Sequence, residues 1–212
     1  PATLTTWGRS RHARTETLAA PLDDAALSRA VRADAGPLIV YGSGRCYGDA
    51  SLNHQGRTLL ARARRRILEI DRAACLVIAE SGVTFADLSG VLHPLRLTYP
   101  VAAATGAVTL GGALVNDLHA KNNHAAGSFA RHVLWFDLML ADGSIVRVDR
   151  AGEPDLFRAT AGGLGLTGMV LRIALKLVPV KADAADVRYE RLPDIDAFLD
   201  RLRTAGFVEP AC

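Results

Sequence analysis

Residues 105–129, TGAVTLGGALVNDLHAKNNHAAGSF, constrain the fold more than any other segment of the chain. They contain a glycine pair, a polar cluster and a further glycine, without the regular period of a helix or a strand. Gly111 and Gly112 let the backbone approach a bound group closely, because glycine has no side chain. Polar side chains crowd into the nine positions 116–124, among them Asn116, Asp117, His119, Lys121, Asn122 and His124. This segment is therefore predicted to be a ligand-binding loop region.

Another loop of similar character, the first of the two along the chain, lies upstream. The apolar residues 38–40 predict a strand, and the glycine-rich sequence YGSGRCYGD follows directly at residues 41–49. Successive backbone N–H groups in such a loop form a concavity that binds anions. The loop is therefore suited to a phosphate group.

Short helices and strands are predicted between and around these loops. The helices cover residues 23–31, 85–93, 155–161 and 193–203, and the first two begin after the capping residues Asp23 and Thr84. Strands are predicted at residues 38–40, 135–141, 145–148, 169–179 and 187–191. Two or three more are predicted within residues 58–79, with 58–61 first and 74–79 later. Asp142-Gly143 between two apolar runs predicts a hairpin. Because strands and helices do not alternate regularly, the fold class is α+β rather than a Rossmann domain.

The charge distribution argues against a nucleic-acid interface. The chain has 212 residues, a net charge of +3 and only 6% aromatic residues, whereas nucleic-acid surfaces combine a basic stripe with stacking rings. Positive charge clusters only at Arg62, Arg64, Arg65 and Arg66. This arginine cluster is interpreted as a solvated loop or strand edge.

The cysteines and histidines indicate neither a disulfide framework nor a metal site. Cys46, Cys75 and Cys212 are odd in number and have no CxxC spacing. His119 and His124 lack an evident third ligand. A reducing compartment, the cytoplasm, fits best, with an envelope-associated or periplasmic location left open. No continuous apolar run approaches the ~18 residues of a membrane span, so no integral membrane segment is predicted.

Four blocks in order along the chain carry a family resemblance. GSGRCYGD at 42–49, VTLGGALVNDLHAKNNHAAGSF at 108–129, DLMLADGS at 137–144 and LFRATAGGLGLTGMV at 156–170 resemble the FAD-binding domain of the vanillyl-alcohol oxidase and p-cresol methylhydroxylase (PCMH) superfamily. They are similar in particular to its branch of decaprenylphosphoryl-ribose 2′-epimerase oxidase subunits. The resemblance implies a two-lobed, PCMH-type FAD-binding domain over residues 1–180. Residues 181–212 would begin a truncated substrate-binding domain.

The resemblance also implies which residues bind FAD, with the diphosphate held on backbone amides of both loops. Glycines at 42, 44, 111 and 112 would remove side chains that block these amides, and Arg45 would add a charged contact. Many relatives attach the flavin through a histidine where this chain has Arg45-Cys46, so non-covalent FAD is implied; a thioether to Cys46 is the less favoured alternative. The cofactor residues carried over are Val40, Tyr41, Gly42, Ser43, Gly44, Arg45, Cys46, Tyr47, Gly48, Asp49, Ala50, Ala104, Thr105, Thr109, Leu110, Gly111, Gly112, Asn116, Asp117, Leu118, His119 and Val170.

His119 is the principal catalytic candidate, by match of HAKNNH to the family segment. It would lie over the flavin and orient the substrate alcohol or shift its proton as hydride leaves for flavin N5. The alternative is that His119 only satisfies a buried hydrogen bond. Lys121 is a further candidate beside the isoalloxazine, and Tyr47 a candidate on the substrate side.

Departures from the branch leave the substrate open. Ala104 and Ala120 replace glycines, and Trp135 and Phe136 replace smaller or polar residues, so another sugar or polyol could replace the lipid-linked sugar. The electron acceptor is open, and a reductase partner would complete an epimerisation. Two alternatives remain: a catalytically silent FAD-binding module and a structural domain without ligand. The Gly-Gly-Leu-Gly sequence at 162–165 is interpreted as a packing turn, since it lacks a Rossmann setting.

Overall fold

The computed structural model describes residues 1–33, 36–182, 184, 187 and 189–204. The first lobe, residues 1–60, contains strands β1 (Ala2–Thr5), β2 (His12–Ala19), β3 (Leu38–Tyr41) and β4 (Arg57–Leu60) and helix α1 (Asp24–Arg32). Its sheet has the order β1-β2-β4-β3. β1 is antiparallel to β2, whereas β4 is parallel to both β2 and β3.

The second lobe, residues 67–180, is built on an antiparallel sheet of order β5-β6-β10-β8-β9. These strands are β5 (Ile67–Asp71), β6 (Leu76–Glu80), β8 (Val133–Met139), β9 (Ile145–Asp149) and β10 (Met169–Lys176). Helices α2 (Phe85–Leu92), α3 (Leu110–Val115), α4 (Asn123–Ala126) and α5 (Pro154–Thr160) belong to the same lobe, and β7 (Leu97–Thr98) pairs with β11 (Val178–Pro179). Helix α6 (Ile195–Thr204) follows. None of the helices in the described residues is long and apolar enough to cross a membrane.

Local signals in the sequence place several elements correctly. The Asp23 side chain accepts a hydrogen bond from the Ala26 amide at 2.7 Å and caps α1. Thr84 and Asp87 form a reciprocal capping box at the start of α2. β8 and β9 pair across the turn that contains Gly143, whose φ is +78°. The predicted helix starts and the predicted hairpin are confirmed.

Other elements differ from the sequence prediction. Strands β1 and β2 were not predicted, and the strand predicted over residues 169–179 is divided at Leu177, whose amide donates to Cys75. The strand predicted over residues 187–191 is wrong for residues 187 and 189–191, while Arg188 lies outside the described residues. Residues 187 and 189–191 are exposed, and no strand of the described residues pairs with them.

Two apolar clusters hold the molecule together. The larger lies between the five-stranded sheet and helices α2, α3 and α5, and includes Phe85 and Phe129 with ring centroids 5.8 Å apart. The smaller joins the lobes, because Leu27 and Leu59 of the first lobe pack against Leu171 of the second, each at most 1% exposed. The two lobes therefore share a core, and this packing fixes the position of one lobe against the other.

The interpretation of the arginine cluster as a solvated edge is wrong for Arg64. Its side chain is 1% exposed, and its guanidinium lies 2.5 Å from Asp24 and 3.7 Å from Glu80. Asp24 also pairs with Arg172 at 2.9 Å, and Arg172 pairs with Asp137 at 2.7 Å. These five residues form an alternating series of charges that connects helix α1 of the first lobe to the sheet of the second. Burial of Arg64 is tolerated because carboxylates lie beside it.

Candidate cofactor-binding site

A cleft opens where the two lobes meet. It is bounded by the end of β3, the segment after β4, the end of β6, the first turn of α3 and the loop before β10. The lining residues are Ile39, Val40, Gly42, Ala61, Ser81, Thr109, Gly111, Gly112, Val115, Leu164, Gly165, Gly168, Met169 and Val170. The cleft therefore brings together six of the cofactor residues expected from the sequence: Val40, Gly42, Thr109, Gly111, Gly112 and Val170.

The first loop, residues 42–50, supplies unbonded amides. No backbone N–H of this loop donates a hydrogen bond to any residue that the structure describes. Gly42 is required for close approach, since a Cβ there would lie 2.7 Å from the Thr109 hydroxyl oxygen. Gly44 has a φ of +65°, and a Cβ there would collide with the Tyr41 hydroxyl. A series of free N–H groups beside a cleft is the arrangement that binds an anionic group.

The second loop, within residues 105–129, is expected from the sequence to hold a diphosphate on its backbone amides. The structure differs at residues 110–112. The amide of Leu110 donates to the Val83 carbonyl, and that of Gly111 donates to the Ser81 carbonyl, each at 2.8 Å. The Gly112 amide donates to the Thr109 hydroxyl at 3.2 Å. These residues form the first turn of α3, so their donors are already used in bonds to the segment that follows β6 and to the helix cap Thr109. The second loop supplies a close-fitting wall, and the free amides belong to the first loop.

Gly111 and Ser81 form the closest part of this wall. A Cβ at Gly111 would lie 2.8 Å from the Ser81 Cβ. The Ser81 side chain is 3% exposed, and its hydroxyl has no hydrogen-bond partner among the described residues. A buried polar group without a partner costs about 1–3 kcal/mol. Unbonded amides, an unsatisfied hydroxyl and a wall free of side chains together fit a polar, phosphate-bearing cofactor such as FAD.

Asn116, at the end of α3, connects the two loops. Its side-chain amide donates to the Gly112 carbonyl at 2.8 Å, and its carbonyl oxygen lies 4.0 Å from the Cys46 thiol. The next residues hold the loop that follows: Asp117 accepts from the Ala130 amide at 3.0 Å, and the Leu118 carbonyl accepts from Phe129 at 2.8 Å. Asp117 and Leu118 therefore shape the second loop and do not line the cleft.

His119 follows this turn and is exposed. It makes no hydrogen bond to the described residues, so the alternative of a buried, hydrogen-bonded histidine does not hold. Lys121 is also exposed, and Tyr47 is 82% exposed. The Asn122 side chain donates to the Pro100 carbonyl at 3.0 Å and fixes the loop. The structure places His119, Lys121 and Tyr47 outside the lining of the cleft, where each is open to a molecule that approaches from solvent.

Two further expected cofactor residues, Ala104 and Thr105, are exposed and also lie outside the lining. Sequence reasoning missed Ala61, Ser81, Leu164, Gly165 and Gly168, which line it. The Gly-Gly-Leu-Gly turn does pack as predicted, since the Leu164 amide donates to the Val115 carbonyl at 2.8 Å. It also forms one wall of the cleft. The local sequence of this turn does not indicate that it lies beside α3.

The turn between β1 and β2 was also missed, and it contacts the first loop. The Trp7 amide donates to the Cys46 carbonyl at 3.0 Å, and the Arg45 guanidinium lies 4.4 Å from the centre of the Trp7 ring. The Tyr41 hydroxyl donates to the Thr5 carbonyl at 3.2 Å. Burial raises the pKa of Tyr41, while the charge of Arg45 acts in the opposite direction. Tyr41 is therefore a neutral hydrogen-bond donor at neutral pH.

Comparison with known proteins agrees with this geometry. The model of the FAD binding domain family matches residues 17–149, and the chain belongs to that family. FAD is the cofactor that this family and this cleft define.

Particular relatives extend the comparison. The chain is 40% identical over 157 residues to decaprenylphosphoryl-beta-D-ribose oxidase of Mycolicibacterium smegmatis, covering 74% of this chain and 34% of the relative. It is 47% identical over 120 residues to an uncharacterized protein of Streptomyces coelicolor, covering 57% and 32%. It is 33% identical over 119 residues to Delta(24)-sterol reductase of Pisum sativum, covering 55% and 21%. The chain thus spans about a third or less of these relatives, and the resemblance stated from the sequence is confirmed.

Proposed function

We propose that this chain is the cofactor-binding part of an FAD-dependent oxidoreductase that oxidises a sugar or a lipid-linked sugar alcohol. The observation that carries the proposal is the cleft between the lobes, which Gly111 lines together with Gly42. Gly42 begins the loop of residues 42–50, whose amides donate no hydrogen bond to any described residue. The substrate class rests on the similarity to decaprenylphosphoryl-beta-D-ribose oxidase. Residues 1–180 would form the flavin domain, and residues 181–212 would begin a substrate-binding domain.

The first loop would hold the FAD diphosphate. Two negative charges require several converging donors, and the amides of residues 42–50, which donate to no residue in the described part of the chain, would provide them. Arg45 would add a charged donor, since it forms no ion pair among the residues that the structure describes. The buried Ser81 hydroxyl would gain a partner when the cleft is filled. Attachment would be non-covalent, because Arg45-Cys46 stands where many relatives have a histidine.

His119 would act on the substrate. When bound, FAD supplies a hydride acceptor at its N5 atom. His119 is exposed and makes no hydrogen bond to a residue that the structure describes, so it is available to orient the substrate hydroxyl or to take its proton. Lys121 and Tyr47 are exposed and would assist at the substrate side. A reductase that acts on the oxidised product would be the partner if the two steps together invert a sugar carbon.

The first test is the visible absorbance spectrum of the purified chain, before and after incubation with FAD and after acid precipitation. Flavin bands that are released into the supernatant would support non-covalent binding, whereas bands in the pellet would indicate a covalent link. No flavin after reconstitution would contradict the proposal.

Turnover separates the enzyme from a catalytically silent module. A series of sugar alcohols should be offered to the FAD-loaded protein together with an artificial electron acceptor. Bleaching of the flavin bands by one class of alcohol would support oxidation of that class. Bound FAD that no sugar or polyol reduces would favour the silent module.

A further inference from the structure

The turn between β1 and β2 supports the first loop from outside the part of the chain that the family model covers. That model begins at residue 17, whereas Trp7 and the whole of β1 precede it. The contact is nevertheless extensive: the Trp7 amide binds the Cys46 carbonyl, and the Thr5 carbonyl binds the Tyr41 hydroxyl. The hairpin of β1 and β2 thus contacts the first loop at two places, at Tyr41 directly before it and at Cys46 in its middle.

The Trp7 amide contacts the backbone of the first loop, whereas the Trp7 ring contacts a side chain of that loop. Its face lies under the guanidinium of Arg45, with 4.4 Å between the Arg45 Cζ and the ring centre. Arg45 is exposed and has no carboxylate partner within the described part of the chain. A long, unpaired arginine would otherwise sample many rotamers, and ordering it on binding has an entropic cost. Stacking on an aromatic face restricts the Arg45 side chain before the ligand binds.

We propose that Trp7 is a positioning residue for the cofactor: its ring holds the Arg45 guanidinium ready to pair with the FAD diphosphate. This inference rests on the proposed FAD binding and adds to it a residue that lies outside the part of the chain that the family model matches. Trp7 itself does not touch the cofactor. Its effect on FAD affinity passes through Arg45.

Titration of the chain with FAD, followed by quenching of flavin fluorescence, measures the dissociation constant. An exposed cation–π contact is worth about 0.5–1 kcal/mol, so W7A and W7L should each raise the FAD Kd about two- to fivefold. W7F keeps an aromatic face and should stay close to the unchanged protein. R45A removes the charged contact itself and should raise the Kd about tenfold or more.

The double variant W7A/R45A tests whether Trp7 acts through Arg45. If it does, the double variant has the same Kd as R45A alone. If the Kd of the double variant instead exceeds that of R45A by the same factor that W7A produces alone, the proposal is overturned. An unchanged Kd in both W7A and W7L would also overturn it. W7L keeps apolar bulk at this position and carries the test if W7A does not fold.

Trp135 offers a matched control. It is the other tryptophan of the chain, and it too lies under an arginine, Arg147, at 3.7 Å. It belongs to β8 and does not line the cleft, so W135A should leave the FAD Kd unchanged. An equal loss of affinity in W135A would show a general effect and overturn the role of Trp7. Failure of the unchanged chain to bind FAD would instead refute the proposed function, and this inference with it.

Discussion

Glu80 is the most informative target for a stability measurement, because its carboxylate is buried between the lobes. Its side chain is 0% exposed. One carboxylate oxygen accepts from the Arg66 amide at 2.8 Å, and the other accepts from the Arg66 guanidinium at 2.7 Å, with Arg64 at 3.7 Å. Burial acts to raise the pKa of Glu80, but the hydrogen bonds from Arg66 and the charges of Arg66 and Arg64 outweigh it, and the pKa is lowered. Glu80 is therefore charged in the folded protein at neutral pH.

The substitution E80Q keeps the shape and removes the charge. Removing one partner from a buried ion pair costs about 3–5 kcal/mol. Arg64 retains Asp24 at 2.5 Å, and the Gln carbonyl oxygen can still accept one bond, so we expect the lower end of that range, about 3 kcal/mol. For a chain of this length 1 kcal/mol shifts the Tm by about 2–4 °C. The Tm of E80Q should therefore fall by about 6–12 °C.

Thermal unfolding followed by circular dichroism at neutral pH checks this value. The control is D155N, which breaks an exposed pair between Asp155 and Arg158, whose side chains are 91% and 71% exposed. Such surface pairs contribute little, so the Tm of D155N should not change measurably. A Tm of E80Q equal to that of D155N would refute the argument that the buried charges join the lobes.

The pH dependence supplies a second check. Since the folded-state pKa of Glu80 is lowered, its contribution is fully present above the unfolded pKa, about 4.3 for Glu. It is lost as the pH falls through the folded-state pKa. The stability difference between the unchanged protein and E80Q should therefore shrink on acidification below that value. A difference that stays constant throughout this acid range would contradict the assignment of a charged Glu80.

Three other substitutions test the site and its wall. G111V should lower the Tm and FAD retention together, since a Cβ there would lie 2.8 Å from the Ser81 Cβ; normal FAD retention would contradict the wall described. G90A is its control, because a Cβ at Gly90 meets nothing within 4 Å in helix α2, and we expect stability to rise by about 0.5–1 kcal/mol with FAD binding unchanged. H119A should retain FAD and slow flavin reduction by the alcohol substrate, measured by stopped-flow absorbance; an unchanged rate would contradict a role of His119 in the reaction.

Local chemistry made part of the fold predictable. Helix caps at Asp23 and Thr84 and the turn at Gly143 depend on residues a few positions apart, so short sequence windows contain the whole cause. The division of residues 169–179 into β10 and β11 was not predictable in this way. It depends on β7 and Cys75, which lie about 80 to 100 positions earlier in the chain.

The α+β class, the two glycine-rich loops and the FAD-binding family could all be predicted from the sequence, the family through four ordered blocks. These features depend on residue type and spacing along the chain. Three other features became evident only in the folded chain: Arg64 is buried, the Gly111 amide is bonded while the amides of residues 42–50 donate to no described residue, and Trp7 lies under Arg45. Each of these depends on a partner that folding brings close from elsewhere in the chain, and burial and hydrogen bonding are decided by neighbours in space.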